Sequence, residues 1–387
     1  MNPAPNLGPR VNAVDVESLE RFDSLVEQGS VSMQGWHVQS IDLTKRGEAL
    51  RRLDPSGSIF LGCDFSDGVE EHLRSGGALV FPELPDIPFD AYRGGLYTAA
   101  DLYSGLEAEP YEQTLDARVY AWSTRPGTAR NLNATLATAL HDHAIGDALD
   151  DLFDSGGPAA GRDVVGVMGG HGVVRGTQEY DDGARLGRLL AQSGVMVATG
   201  GGPGAMEAAN LGAYLSAASD GDLAAAVAAL AETPGFQPSI TDWARSANVV
   251  LARHPQGTAN LGIPTWFYGH EPPNLFATHI AKYFTNSVRE AVLLQRCNGG
   301  IVFLPGAAGT VQEIFQDACE NYYAADTAVT PMILVGTDYW TNVMPAWPVL
   351  QSLARDRTMS RSVHCVDTVD EVLQILAQTT GAVGGRK

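Results

Sequence analysis

Lysine is almost missing from this chain: Lys45, Lys282 and Lys387 are the only three in 387 residues. None follows a glycine, so the G-x-x-x-x-G-K-S/T loop of P-loop ATPases and GTPases is absent. Few side chains are left to form a pyridoxal Schiff base, and Lys387 is the terminal residue. Cysteine is just as scarce. Cys63, Cys297, Cys319 and Cys365 lie far apart with no C-x-x-C pair. That spacing suggests neither a disulfide framework nor a zinc site, and it fits buried thiols in a reducing cytoplasm. No stretch approaches the roughly 18 consecutive apolar residues of a membrane helix. The N-terminus lacks the basic-then-apolar pattern of a signal peptide. A cytoplasmic protein that engages no membrane is expected.

Positive charge is the other deficit. Twenty-five Lys and Arg face 45 Asp and Glu, for a formal charge of −20. A surface this acidic repels nucleic acid and anionic lipid, so no nucleic-acid polymer is expected as a partner. A small phosphate is still admissible, because backbone amides at a helix N-terminus supply positive potential locally. Any phosphate site must then be a focused pocket.

What remains is ordinary globular composition, 44% hydrophobic and 18% charged, over a length suited to two domains. MNPAPNLGPR at the start and GAVGGRK at the end offer no apolar face, so disorder is expected through residue 15 and in the tail. The expected division is an α/β extension of unassigned role over 1–155 and a catalytic domain over 156–387, joined by GGPAAGRD (156–163). In the extension, IFLGCDF, DGVEEHLRSGG and ALVFPEL suggest one strand–helix–strand unit. NLNATLATALHDHAIGDALDDLFDSGG suggests one or two helices.

From Asp163 onward the pattern is regular. DVVGVMGG (163–170) is a short apolar run ending in glycines, the mark of a buried strand. A helix follows with Ala184, Leu186, Leu189 and Leu190 at helical spacing, and Gly194 is its stop. VMVATGGG is the second strand and GAMEAANLGAYLSAA the second helix. After an insertion, NLGIPTWFYG is a further strand, followed by a helix from Phe276 through Arg296. GGIVFLPG and GTVQEIFQDACENYY form the next pair, and PMILVGT and SVHCVDTVDEVLQIL close the series. Alternating strands and helices predict a doubly wound, Rossmann-like parallel sheet with helices on both faces. Ligands of such sheets sit at the carboxyl ends of the strands, where this chain carries its glycine clusters.

Two of those clusters carry chemistry. In TGGGPGAMEAAN, Thr199–Asn210, glycines between strand and helix let backbone amides approach a ligand without a Cβ in the way. The segment also fits a loose G-x-G-x-x-G/A pattern. It sits on the second strand rather than the first, however, and no acidic residue ends the next strand, which weighs against a dinucleotide site. LPGAAGTVQEIF, Leu304–Phe315, repeats the same physics, with Thr310 able to cap the helix or donate to a phosphate. Glu313 is expected in the first helical turn, either as a charge on the helix dipole or as a carboxylate aimed into the crevice.

Together the two loops resemble the Lonely Guy (LOG) family, long labelled "lysine decarboxylase-like", whose hallmark is PGGxGTxxE. The resemblance spans about residues 160–380. MGGH at 168–171 and HEPPN at 270–274 are similar to the larger bacterial nucleotide 5′-monophosphate nucleosidases of that superfamily, which also carry an N-terminal domain. The resemblance implies hydrolysis of the N-glycosidic bond of a nucleoside 5′-monophosphate such as AMP, GMP or CMP, without organic cofactor or metal, by a homodimer or larger homo-oligomer. It implies Glu313 as the catalytic glutamate and Arg289 as the catalytic arginine, with Arg296 as the fallback. Gly306, Ala307, Ala308, Gly309 and Thr310 match the phosphate loop, and Gly201, Gly202, Gly204, Met206 and Glu207 the other glycine loop. This chain departs in having PGAAGT for PGGxGT, and in one extra residue between Arg289 and Pro305.

Other candidates keep two readings. Gly170 and His171 end the first strand, and His171 is either a phosphate or base contact or incidental. Glu271 and Asn274 either touch base or ribose or belong to a proline-stiffened loop. Trp266, Phe267 and Tyr268 either stack on a base or fill the core. His141, Asp142 and His143 lie on a predicted helix, where positions two apart share no face, so no metal is expected there. Two functions from other classes stay open: a nucleotide-binding regulator without turnover, and an NAD(P)-dependent oxidoreductase.

Overall fold

Among the described residues the pairings between named strands are all parallel, and these strands form two sheets. The computed structural model describes residues 14–128, 131–154, 156–268, 271–325 and 328–383. The expected disorder of residues 1–13 and the extreme C-terminus therefore lies outside the described residues, as does His270 of HEPPN.

The chain divides into two compact units, residues 1–95 with 126–148, and residues 96–125 with 149–387. The expected boundary at 155 differs from this division chiefly in the 96–125 segment, which groups with the second unit.

The first unit is built on β1 (Val14–Val16), β2 (Trp36–Gln39), β3 (Ile59–Leu61) and β4 (Leu79–Phe81), in that order. α1 (Leu19–Glu27), α2 (Gly47–Arg52) and α3 (Val69–Ser75) connect them. Val16, Val38, Phe60 and Val80 stand in register across the sheet and are buried. Phe22, Leu50 and Leu73 of the helices pack into the same core. The single strand–helix–strand unit expected here is thus part of a four-stranded sheet. β1 and β2, VDV and WHVQ, mix polar residues into short strands and lack the apolar runs of β3 and β4. Val14 and Asp15, expected to be disordered, lie in β1.

In the second unit, α4 (Ala99–Leu102) and α5 (Leu115–Ser123) come first. Then α6 (Leu132–Phe153), one helix rather than two, runs from the first unit into the second. The α/β series follows: β5 (Val164–Met168), α7 (Gln178–Gln192), β6 (Met196–Thr199), α8 (Ala205–Tyr214), α9 (Asp220–Ala231) and α10 (Ile240–Arg253). It continues with β7 (Leu261–Gly262), β8 (His279–Ile280), α11 (Asn286–Arg296), β9 (Gly300–Phe303), α12 (Ala308–Tyr323), β10 (Met332–Val335), α13 (Ala346–Ala354), β11 (Val363–Val366) and α14 (Val369–Val383). The sheet order is β11-β10-β9-β5-β6-β7-β8, the doubly wound arrangement expected. Val165, Val197, Val302 and Ile333 form a continuous apolar surface that Leu186, Leu190, Ala209 and Leu376 cover from the helices.

One expected element is corrected. The stretch from Phe276 is not helical, because its amides are already spent. Asn274 Oδ1 accepts from Phe276 and Ala277, and His279 and Ala281 donate to β7 at Asn260 and Gly262. β8 results, and α11 starts only at Asn286. The expected strand NLGIPTWFYG likewise contracts to β7 plus an isolated bridge from Thr265 to Tyr283.

The 96–125 segment is tied to this sheet edge by polar contacts. Tyr97 and Ile280 exchange backbone hydrogen bonds of 2.9 and 2.8 Å. Asp116, buried, accepts from Tyr111 Oη at 2.7 Å and Trp266 Nε1 at 2.9 Å, and pairs with the equally buried Lys282. Burial pulls the Lys282 ammonium below its ordinary range, against the opposing pull of Asp116. Among the described residues no helix is long and apolar enough to cross a membrane.

α7 and α8 approach unusually closely, since small residues face each other. A Cβ on Gly187 would fall on the Ala209 carbonyl, and one on Gly212 on the Ala184 carbonyl. Gly212→Ala is predicted to cost about 1–3 kcal/mol of stability by overpacking, more than the roughly 1 kcal/mol that alanine returns in helix propensity. Urea unfolding measures this, and an unchanged or raised midpoint would contradict the close approach.

Candidate active site

β5 is the strand at which the chain order reverses, with β6 on one side and β9 on the other. The loops after these three strands enclose a cleft of ≈ 630 Å³ at their carboxyl ends, where doubly wound sheets bind ligands. Gly170 and His171 enter it from β5, Gly200, Gly202 and Met206 from the β6–α8 turn, and Gly306, Ala307, Ala308, Gly309, Thr310 and Glu313 from the β9–α12 turn. Arg289, Glu290, Glu271, Tyr268, Thr265 and Tyr339 complete the wall.

The two glycine loops look alike in sequence and differ in the structure. At the start of α8, the Ala205 N–H is already taken by the Gly170 carbonyl at 3.1 Å, and the Gly201 N–H by Thr199 Oγ1 at 2.9 Å. Gly204 has φ +72°, and a Cβ there would lie 2.6 Å from the carbonyl oxygens of Gly170 and His171. Gly201 and Gly204 therefore shape the turn and do not line the cleft. Glu207 does not reach it either. It is fully buried and joined to Arg175 by two hydrogen bonds, while Arg175 also donates to Ser246 at 2.8 Å and lies over Trp243. Asn274, expected at base or ribose, is buried behind the loop. Its Nδ2 donates to Gly202 O at 3.1 Å and Asn210 Oδ1 at 2.9 Å, and its N–H to Gly201 O at 2.8 Å. The sequence placed it correctly in the neighbourhood but on the wrong side of the main chain.

The β9–α12 turn is open by contrast. α12 begins with no side-chain cap on its N-terminus, and Ala308, Gly309 and Thr310 of its first turn face the cleft. A helix N-terminus without a side-chain cap favours negative charge there through its N–H groups and dipole. A Cβ on Gly306 would collide with the Thr310 hydroxyl, so this glycine lets Thr310 fold back over the loop. Tyr339 Oη fixes the same loop by donating to Gly306 O at 2.8 Å. The alanines are tolerated because Ala307 has φ −102°, well outside the glycine region.

Glu313 is the sixth residue of α12, not in its first turn as expected, so the dipole gives it little help. Burial pushes its carboxyl up to about 7, with Arg289 pulling down and Glu290 adding to the rise. Arg289 Nη1 stands 3.8 Å from Glu313 Oε1, and Arg289 also donates to Asn286 Oδ1 at 3.0 Å. Arg289 Nε is buried without a hydrogen-bond partner, an orphan donor facing this region. Arg296, the fallback, pairs instead with Asp150, away from the cleft. One turn beyond Glu313, burial raises Asp317 to about 8. His171 and Glu271 meet at 3.3 Å. Of the aromatic candidates, Tyr268 lines the cleft and Trp266 is core. Among the described residues no group of His, Cys, Asp and Glu is arranged to hold a metal. Sequence reasoning missed Tyr339 and Glu290. Tyr339 follows β10 in a segment with no motif, whereas Glu290 adjoins Arg289 and was within reach.

Residues 162–221, from just before β5 to the start of α9, match the model of the SLOG cluster4 family. The match supports a SLOG/LOG-like superfamily for this stretch and does not extend to the nucleosidases in particular. No curated protein matches the chain. Among solved structures, the chain is similar to a molybdenum cofactor binding protein from Rippkaea orientalis, with 15% identity, TM-score 0.34, and coverage of 57% of this chain and 98% of that one. It is also similar to the structural-genomics target TM1055, with 24% identity, TM-score 0.36, and coverage of 56% and 99%. A third is the molybdenum cofactor carrier protein of Chlamydomonas reinhardtii, with 18% identity, TM-score 0.33, and coverage of 56% and 99%.

The raised carboxyl of Glu313 has a consequence for stability. Between the ordinary 4.5 and about 7 the folded chain holds this proton more tightly than the unfolded chain, so stability is lost as pH rises through that window. Glu313→Gln should abolish this loss, gaining on the order of 1–3 kcal/mol over wild type between pH 4.5 and 8. Urea melts of both proteins at several pH values test it; parallel pH profiles would show that the carboxyl is not perturbed.

Proposed function

We propose that the cleft hydrolyses the N-glycosidic bond of nucleoside 5′-monophosphates, releasing free base and ribose 5-phosphate. The SLOG match supports a nucleotide-related role in the broad sense. The observation that carries the finer reading is the meeting, in one cleft, of an uncapped helix N-terminus with a part-buried carboxylate one turn further along the same helix, Glu313, which Arg289 of α11 approaches to 3.8 Å.

The 5′-phosphate is seated on the first turn of α12, with the Thr310 hydroxyl, in a protein whose net charge of −20 offers no general attraction for it. The ribose then lies over Glu313. Breaking the C1′–N bond develops oxocarbenium character on the sugar, which a nearby carboxylate stabilises while accepting a proton from the attacking water. A carboxyl held at about 7 suits that base. Arg289, a guanidinium 3.8 Å from the carboxylate, steadies Glu313. Phosphate binding far from the reacting bond supplies the energy that fixes the sugar in place. A cytoplasmic homo-oligomer needing neither metal nor organic cofactor completes this reading.

Chromatographic detection of base released from AMP, GMP, CMP, UMP and IMP tests it. Wild type is expected to release base, and Glu313→Ala to slow release by about 10²–10⁴-fold. Adenosine should be turned over roughly 10²-fold or more slowly than AMP, since it lacks the positioning phosphate. Tight nucleotide binding without any base release would overturn hydrolysis in favour of a nucleotide-binding regulator. Equal turnover of adenosine and AMP would remove the phosphate seat.

A further inference from the structure

We infer that His171, held by Glu271, is the general acid of this reaction and donates a proton to a ring nitrogen of the departing purine. The inference rests on the hydrolytic reading of the cleft and adds to it the half of the chemistry that Glu313 cannot supply. A purine that leaves as an anion is a poor leaving group. One that takes up a proton as the bond breaks leaves neutral, and a positioned acid is worth about 10²–10⁴-fold in rate.

Three observations single out His171. First, its Nδ1 lies 3.3 Å from Glu271 Oε1, a carboxylate from a different loop, and both residues line the cleft. Glu271 is the more embedded of the two, with 20% of its side chain exposed against 55% for His171, so the carboxylate acts as the fixed end and the imidazole projects from it. With Nδ1 turned to Glu271, Nε2 is the nitrogen left to face a ligand. Second, the local charge is wrong for phosphate: a dianion beside Glu271 would be repelled, whereas the open N-terminus of α12 attracts it. A neutral base fits next to the carboxylate. Third, small and apolar groups adjoin the pair. A Cβ on Gly202 would lie 2.8 Å from Met206 Cε and 3.9 Å from Glu271 Oε2, so the thioether and the carboxylate flank the same glycine. Pro264 and Tyr268 line the same cleft and offer further surface for a base.

The step balances without a further reagent. The C1′–N9 bond breaks with its electron pair passing to the base, and the His171 Nε2 proton goes to the purine ring nitrogen. Water forms the new C1′–O bond and gives its proton to Glu313. The enzyme is left with a neutral His171 and a protonated Glu313, and exchange of one proton each with solvent restores both.

The test compares two substrates of the holoprotein: AMP, and 7-methylguanosine 5′-monophosphate, whose base is already cationic and leaves without taking a proton. His171→Asn is expected to lower kcat on AMP by about 10²–10⁴-fold and on the methylated nucleotide by less than about tenfold, the second substrate also reporting that the variant is folded. Glu271→Gln, which removes the charge that orients the ring, should show the same split with a smaller loss on AMP. If His171→Asn slows both substrates equally, the residue binds rather than protonates and the inference fails. It fails as well if AMP turnover is unchanged. Release of base from CMP or UMP but from neither of these purine nucleotides would overturn this inference alone, whereas release from none of the nucleotides would sink the hydrolytic reading itself, and this inference with it.

Discussion

The cleft depends on the main chain of one residue. Gly170 donates its N–H to Pro305 O and accepts from Ala205 N–H, each at 3.1 Å, so the β5 loop is bonded at once to the β9 loop and to the first turn of α8. Side chains have little room at this junction: a Cβ on Gly170 would press on Pro305 O at 3.2 Å, and one on Gly204, at φ +72°, would clash with Gly170 O at 2.6 Å. Most of what lines the cleft hangs from those three segments or from loops bonded to them, and α11 adds Arg289 and Glu290. Asn274 reaches from the β7–β8 connection to the carbonyls of Gly201 and Gly202, and Tyr339 from beyond β10 to that of Gly306.

That junction also explains why two loops of like sequence differ in role. By occupying the first amide of α8, Gly170 removes part of the anion-binding capacity that the sequence of TGGGPGAME advertises, and Glu207 in that first turn is committed to Arg175. The start of α12 has no equivalent claim on it. The uncapped terminus and Arg289 both lie close to a carboxylate that burial pushes up to about 7, so on the proposed reading the repulsion between Glu313 and a phosphate is softened near neutrality.

The parallel sheet, its order of strands and helices, and the two loops were legible in the sequence because each rests on a local rule: apolar runs, glycine stops and helix starts within a dozen residues. Gly194 shows the rule at work, ending α7 with φ +94°. Arg289 was legible only through resemblance, and the geometry that separates it from Arg296 is a matter of where α11 ends up against α12. What escaped were features decided by distant partners. Phe276 to Ile280 reads as helix until Asn274 and β7 claim its amides. Asn274 and Glu207 read as polar groups beside a ligand loop, and only tertiary contacts with Gly201, Gly202 and Arg175 turn them inward. β1 and β2, VDV and WHVQ, are interrupted by polar residues and lack the apolar runs that make β3 and β4 legible.

The scarcity of lysine takes on a second meaning in the fold. One of the three, Lys282, is spent entirely inside the protein on Asp116, with Trp266 beneath its ammonium at 5.0 Å. Burying such a pair is rarely a net gain in stability over well-packed apolar residues, because both ions give up water. Its return is geometric: Asp116 also accepts from Tyr111 and from the indole of Trp266, fixing one rotamer for a residue flanked by Thr265 and, two positions on, Tyr268. Both of those line the cleft. The 96–125 segment therefore belongs with the α/β unit for a chemical reason as well as a topological one, since without Asp116 the loop that bears the cleft wall would rest on an unpaired buried ammonium.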